Sequence, residues 1–183
     1  LILFTYVLTH LSNHALGLVS LAAMDAGREW FLALWRNPLG TLLLYGSLIV
    51  HVCLAWWSLY RRRTLWMPRW EATQLGLGLL IPPLLASHVV GNRLAHEWFG
   101  VSDTYQRLVL IMWHLQPFVG WKQATLLVIA WTHGSIGLHF WLRLRPWYPR
   151  AFPLLLAVAL LVPTLALLGF ARAGREVAAI AAT

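Results

Sequence analysis

Acidic residues are scarce in this chain: six Asp and Glu stand against 14 Lys and Arg in 183 residues. Cysteine is scarcer still, with Cys53 alone. A single thiol excludes an internal disulfide and offers no metal-binding spacing. Cys53 lies inside an apolar run and reads as a small buried hydrophobe. Paired carboxylates for acid–base work are missing, and so are a phosphate-cradling glycine loop, a nucleophile elbow and a metalloprotease helix. No secretory signal pattern is visible at the start. The chain opens Leu1-Ile2-Leu3, already apolar and without a methionine, which points to a fragment whose first helix begins earlier.

What is present is hydrophobic surface. Hydrophobic residues make up 60% of the chain and charged residues 11%, with a mean hydropathy of +0.66. These values belong to the membrane class, because a soluble chain of this length has no core large enough to hide so much apolar surface. The formal charge of +8 does not indicate nucleic acid. Its arginines sit in short clusters between hydrophobic runs, Arg61-Arg62-Arg63 and Arg143-Leu144-Arg145, where cytoplasmic loops of membrane proteins carry them.

A spanning helix needs about 20 mostly apolar residues, and the sequence offers five such stretches. The first runs from Leu1 to Ala23 and contains His10, Asn13 and His14. A connector from Asp25 to Asn37, mixing Trp30, Phe31 and Trp35 with Arg28, Glu29 and Arg36, suits a short interfacial helix. The second span starts at Pro38, contains His51 and ends at Arg61. The third covers 73–95, contains His88 and should kink at Pro82-Pro83. The polar stretch 91–103 should be wet. Residues 105–115 are too short for a span before Pro117 and read as a half-buried surface helix. The fourth span, Trp121 to Leu142, contains His133 and His139. The fifth, Phe152 to Ala171, has no histidine.

With five spans the two most basic loops fall on one side, as the positive-inside rule requires; with six they fall on opposite sides. The expected architecture is therefore an all-α transmembrane bundle of five spans, one domain over 1–183, with short interfacial helices and a cytoplasmic amino terminus. Twelve tryptophans, many at helix ends (Trp56, Trp57, Trp70, Trp98, Trp121, Trp147), fit aromatic belts.

Histidine inside hydrocarbon is costly and marks function by default. Counting from helix ends compares depths. His51 lies ten residues before Arg61, and His133 lies ten before Arg143. Both helices run outside to inside, so the two imidazoles share a level. His14 precedes Asp25 by eleven residues and His88 precedes Glu97 by nine, which matches them in the other half. His10 is one turn from His14 on the same face and stays open as the alternative. In an antiparallel four-helix bundle, first and third helices are diagonal, as are second and fourth. Such pairs suit bis-imidazole iron with a porphyrin between them, so the expected cofactors are two haem b groups held by a four-helix core. The iron ligands would be His14 (or His10), His51, His88 and His133. His139, near the inner basic loop, suits a haem propionate or a structural contact. Arg93 and Arg61 to Arg63 suit propionates or headgroups, and His96 and His114 lie near interfaces. Residues Arg93, His96 and Glu97 form a candidate quinone site, being polar at membrane depth.

Histidines on the first four of five spans resemble the dihaem cytochrome b anchors of succinate dehydrogenases and fumarate reductases, which pair first with third and second with fourth. The stretches Tyr6-Val7-Leu8-Thr9-His10-Leu11-Ser12-Asn13-His14 and Trp131-Thr132-His133-Gly134-Ser135-Ile136-Gly137-Leu138-His139 more closely resemble the membrane anchor of bacterial class III adenylate cyclases. In that family the module precedes a further helix, a ferredoxin-like iron–sulfur domain and a cyclase domain. The resemblance covers nearly the whole chain. It implies a bacterial inner-membrane location, a homodimer, and redox sensing or transmembrane electron transfer coupled to cyclic-AMP synthesis. The alternative is a respiratory anchor for a flavoprotein–iron–sulfur pair acting on quinone. No cysteine cluster and no cyclase residues occur here, so catalysis would belong to other sequence.

Overall fold

The computed structural model describes residues 1–181, all of whose regular elements are helical. Eight α-helices follow in order: α1 (Ile2–Ala15), α2 (Leu21–Trp35), α3 (Pro38–Tyr60), α4 (Arg69–Val89), α5 (Ala95–Phe99), α6 (Tyr105–Leu110), α7 (Pro117–Leu142) and α8 (Tyr148–Ala181). A 3₁₀ turn, Leu16–Leu18, extends α1; π-helical turns Val90–Leu94 and Ile111–Leu115 join α4 to α5 and extend α6. Four stretches are long and apolar enough to cross a membrane: α3, the continuous Arg69–Phe99 helix, α7 and α8. The fold is that of an α-helical membrane protein.

Local chemistry sets the boundaries. The first apolar run does not continue to Ala23 as expected, because Ser20 ends it: its hydroxyl accepts from Ala23 N at 3.0 Å and caps α2. The interfacial helix therefore starts earlier and is longer than the Asp25 to Asn37 connector. Asn37 caps α3, its Oδ1 accepting from Gly40 N at 2.8 Å with Pro38 in the first turn. The third span, expected to end at Ala95, continues through a π-turn to Phe99, and residues 96–99, expected to be wet, are exposed. That helix stops at Gly100, whose φ of 63° suits glycine. Pro82 and Pro83 lie within α4, and α8 runs past Ala171 to Ala181.

The tightest packing joins α1 to α8. Ala166, Gly169, Ala173 and Val177 line one face of α8, all buried. A Cβ on Gly169 would run into the backbone at His14, and one on Gly17 into the backbone of Gly169. Small residues allow this approach where lipid offers no hydrophobic drive between helices. A second seam joins α4 to α7. Helix α3 packs on α1 and α2, and of its residues only Gly40 is buried. Cys53 is exposed on that helix rather than buried.

One contact corrects a fault in α8. Pro163 has no N–H, so the Ala159 carbonyl four residues earlier loses its helical donor. The indole Nε1 of buried Trp131 on α7 donates to that carbonyl at 2.7 Å, and the ring stacks on Phe4 of α1 at 5.2 Å. Trp131→Phe should therefore leave a buried carbonyl unmatched and cost about 1–3 kcal/mol. In a Pro163→Ala background, where the backbone N–H returns, the same change should cost clearly less. Thermal unfolding of the four proteins in detergent measures the difference; equal costs in both backgrounds would refute the pairing.

Candidate functional site

Two places bring histidines from different helices together. At the first, His51 on α3 and His133 on α7 have ring centres 6.0 Å apart. At the second, His10 on α1 and His88 on α4 lie 6.1 Å apart. His14 stands one turn from His10, its ring 4.6 Å from that of His10 and 5.5 Å from Tyr105. Two imidazoles on one metal, at metal–nitrogen distances of about 2 Å, have ring centres about 6 Å apart.

Ring orientation at the first place is fixed from α4. His133 Nδ1 lies 3.0 Å from the Gln74 carbonyl oxygen, which can only accept. The proton must then sit on Nδ1, leaving the Nε2 lone pair free. Gly78, one turn on, leaves room for the ring: a Cβ there would sit 2.9 Å from His133 Cε1. His51 is exposed, on a helix that stands off from α4 and α7.

The second place is a partly open cavity of about 130 Å³. His10, His14 and His88 line it with Phe31, Tyr45, Arg28, Arg36 and Arg93. The Nδ1 atoms of His10 and His14 are buried without hydrogen-bond partners. The side-chain amide of Asn92 lies 3.2 Å from His88 Nδ1.

A polar network walls this cavity. Asp103, buried, takes Arg28 Nη1 at 2.9 Å and also pairs with Arg36. Asp25 Oδ1 accepts from Arg28 Nε at 3.1 Å and from Tyr105 N at 2.8 Å, which ties α6 to α2. Asn13 Nδ2 donates to the Tyr105 hydroxyl at 2.9 Å and to the Met24 carbonyl at 3.2 Å. Burial pushes the Tyr105 phenol above its ordinary range, so it stays protonated. Arg93 pairs with Glu97 at 2.6 Å.

Of the residues singled out from sequence, His51 and His133 are brought together, and His88 meets His10 more directly than His14. His139 lies apart, its Nδ1 2.6 Å from the Tyr148 hydroxyl. Of the quinone candidates only Arg93 faces a cavity; His96 is exposed, its Nδ1 3.0 Å from the Val101 carbonyl oxygen. Sequence reasoning missed Arg28, Arg36 and Asp103 as cavity residues. The available signal was arginine in a connector assigned outside, against the usual bias.

These features define an α-helical membrane protein with two places where histidines of different helices meet, one of them in an arginine-lined cavity. No family model, no curated protein and no solved structure matches the chain.

Asp103→Ala should leave Arg36 without its carboxylate and Arg28 with Asp25 alone, and destabilise the fold by about 3 kcal/mol. Glu97→Ala, which removes an exposed helical partner, should cost under about 1 kcal/mol. Unfolding in detergent compares them, and equal effects would show that Asp103 has no special place in the wall.

Proposed function

We propose that the chain is a b-type dihaem membrane domain for transmembrane electron transfer or redox sensing. The observation that carries this reading is the pair of ring separations, 6.0 Å for His51 with His133 and 6.1 Å for His10 with His88. Each suits two imidazoles sharing one iron. The residues present fit the group in other respects too. The wall of one cavity carries orphaned imidazole nitrogens and three arginines against the single carboxylate of Asp103.

Haem b, when bound, supplies a one-electron iron couple, and the protein sets its orientation and potential. His51 and His133 would hold one group, with the Gln74 carbonyl keeping the His133 proton on Nδ1. His10 and His88 would hold the other, with His14 as the alternative to His10. Arg28, Arg36 and Arg93 offer cationic partners to propionate carboxylates.

In this reading α1 is a fifth span. The amino terminus is cytoplasmic and the membrane is the bacterial inner membrane. The resemblance to cyclase anchors adds a homodimer and a carboxy-terminal iron–sulfur and adenylate cyclase portion, whose activity the redox state of this domain would regulate. A quinone is the proposed exchange partner.

A pyridine haemochrome assay on protein made with ample haem should find two haems per chain. His51→Ala and His133→Ala should each lower this to one and remove the same spectral component. His10→Ala and His88→Ala should both remove the other. Absence of haem from the wild type would sink the proposal, and loss of different components by His51→Ala and His133→Ala would sink the pairing. If His14→Ala abolishes the second component while His10→Ala spares it, the ligand is His14.

A further inference from the structure

A second cavity, of about 320 Å³, adjoins the first and shares His88, Asn92, Leu108 and Met112 with it. Its walls are unusual in two ways. Both π-helical turns of the chain border it, Val90–Leu94 through Gly91 and Asn92, and Ile111–Leu115 through Ile111 and Met112. Such turns widen a helix locally and recur at functional sites. The lining also includes two cations, Arg107 and Lys122, and no Asp or Glu.

Neither cation has a carboxylate partner among the described residues. Arg107 Nη1 donates to the Ser102 carbonyl at 2.9 Å, which leaves other guanidinium donors free. The Lys122 ammonium donates to the Ser87 hydroxyl, and this fixes it at the wall. Asn92, Gln116 and Gln123 add neutral amides. The first cavity differs, since Asp103 neutralises part of its arginine charge. A donor-rich pocket with two uncompensated positive charges calls for an oxyanion.

Depth narrows the occupant. Trp98, Phe99, Phe118 and Trp121, on the helix ends beside the cavity, are each at least 70% exposed. Outward-facing aromatics at helix ends mark the headgroup level of a bilayer. Leu108, Ile111, Met112 and Val119 supply an apolar wall on the same cavity. The geometry points to a phosphate-binding site formed by Arg107 and Lys122, open to an anionic phospholipid headgroup or to free phosphate. The site does not depend on the haem reading.

Native mass spectrometry of the purified chain with palmitoyl-oleoyl phosphatidylglycerol, against phosphatidylcholine, tests the lipid source. Equilibrium dialysis with inorganic phosphate tests the free one. One phosphatidylglycerol should be retained per chain in preference to phosphatidylcholine, and Arg107→Gln with Lys122→Gln should weaken it about 30-fold. Binding of inorganic phosphate alone, with the same dependence on both residues, supports the site and assigns it to free phosphate. Arg107→Lys with Lys122→Arg keeps the charge and should keep binding, which separates lost charge from lost fold. The proposal is overturned if neither probe binds, or if the Gln pair binds like wild type. It fails equally if the charge-keeping pair binds no better than the Gln pair, or if Arg61→Gln with Arg63→Gln weakens binding as much.

Discussion

A polar atom carried into hydrocarbon has no water to turn to, so each must find a partner within the protein. That constraint organises much of this structure. Pro163 removes a donor from α8, and the Trp131 indole replaces it at the Ala159 carbonyl. His133 places Nδ1 on the Gln74 carbonyl oxygen, and buried Asn13 divides its amide between Met24 and Tyr105. Asp103 is buried because Arg28 and Arg36 meet it. Asn13 Oδ1, Gln74 Oε1 and Ser135 Oγ are left unmatched, and so are the Nδ1 atoms of His10 and His14, which share a cavity wall with three arginines.

The same bundle has a closed side and an open side. On the closed side, glycine and alanine let α1 and α8 touch backbone to backbone, which fixes the depth and rotation of His10 and His14. The α4–α7 seam does the same for His88 and His133. Helix α3 is held by α1 and α2 and stands off elsewhere. His51 is thus presented by the most loosely held span, against a His133 whose ring is already oriented. A flat cofactor entering between them would meet one preorganised ligand and one that can adjust, a workable order for assembly.

Much of this was legible in the sequence because a spanning helix turns residue number into depth. At a fixed rise per residue, equal counts to Arg61 and Arg143 put His51 and His133 at one level, and their rings lie 6.0 Å apart. Counting resolves the choice between His10 and His14 poorly, because one turn is smaller than the uncertainty in where a helix ends. The end used for that count, Asp25, lies inside α2, since Ser20 breaks an apolar run that hydropathy alone reads as continuous. The π-turns also escaped notice. In the first, Asn92 and Arg93 read as the polar flank of a span, although the helix continues to Phe99 with those side chains on a cavity wall; the second, Ile111–Leu115, is mostly apolar and carries no such signal. Arg28 and Arg36 were hidden by distance: their partner Asp103 is far along the chain, and only the fold brings them together.

Charge placement gives orientation a firmer physical meaning than a count of arginines does. The end holding the Arg62–Glu71 pair and the Arg143–Trp70 contact carries Arg61, Arg62, Arg63, Arg69, Arg143, Arg145 and Arg150. The opposite end, joined by Arg28–Asp103, Lys122–Ser87 and Glu176–Leu21, carries Arg28, Arg36, Arg93, Arg107, Lys122, Arg172 and Arg175. By number of cations the ends are equal. They differ in pairing, for Glu71 is the only carboxylate at the first end, while Asp25, Glu29, Glu97, Asp103 and Glu176 lie at the second. An arginine locked to Asp103 or Glu97 builds a cavity wall. Arg61 and Arg63, without such partners among the described residues, remain available to anionic headgroups, as cytoplasmic loop residues are. The proposed cytoplasmic amino terminus therefore rests on the Arg61 to Arg63 cluster and its single nearby carboxylate, while Arg28, Arg36 and Arg93 opposite are held by carboxylates at the first cavity.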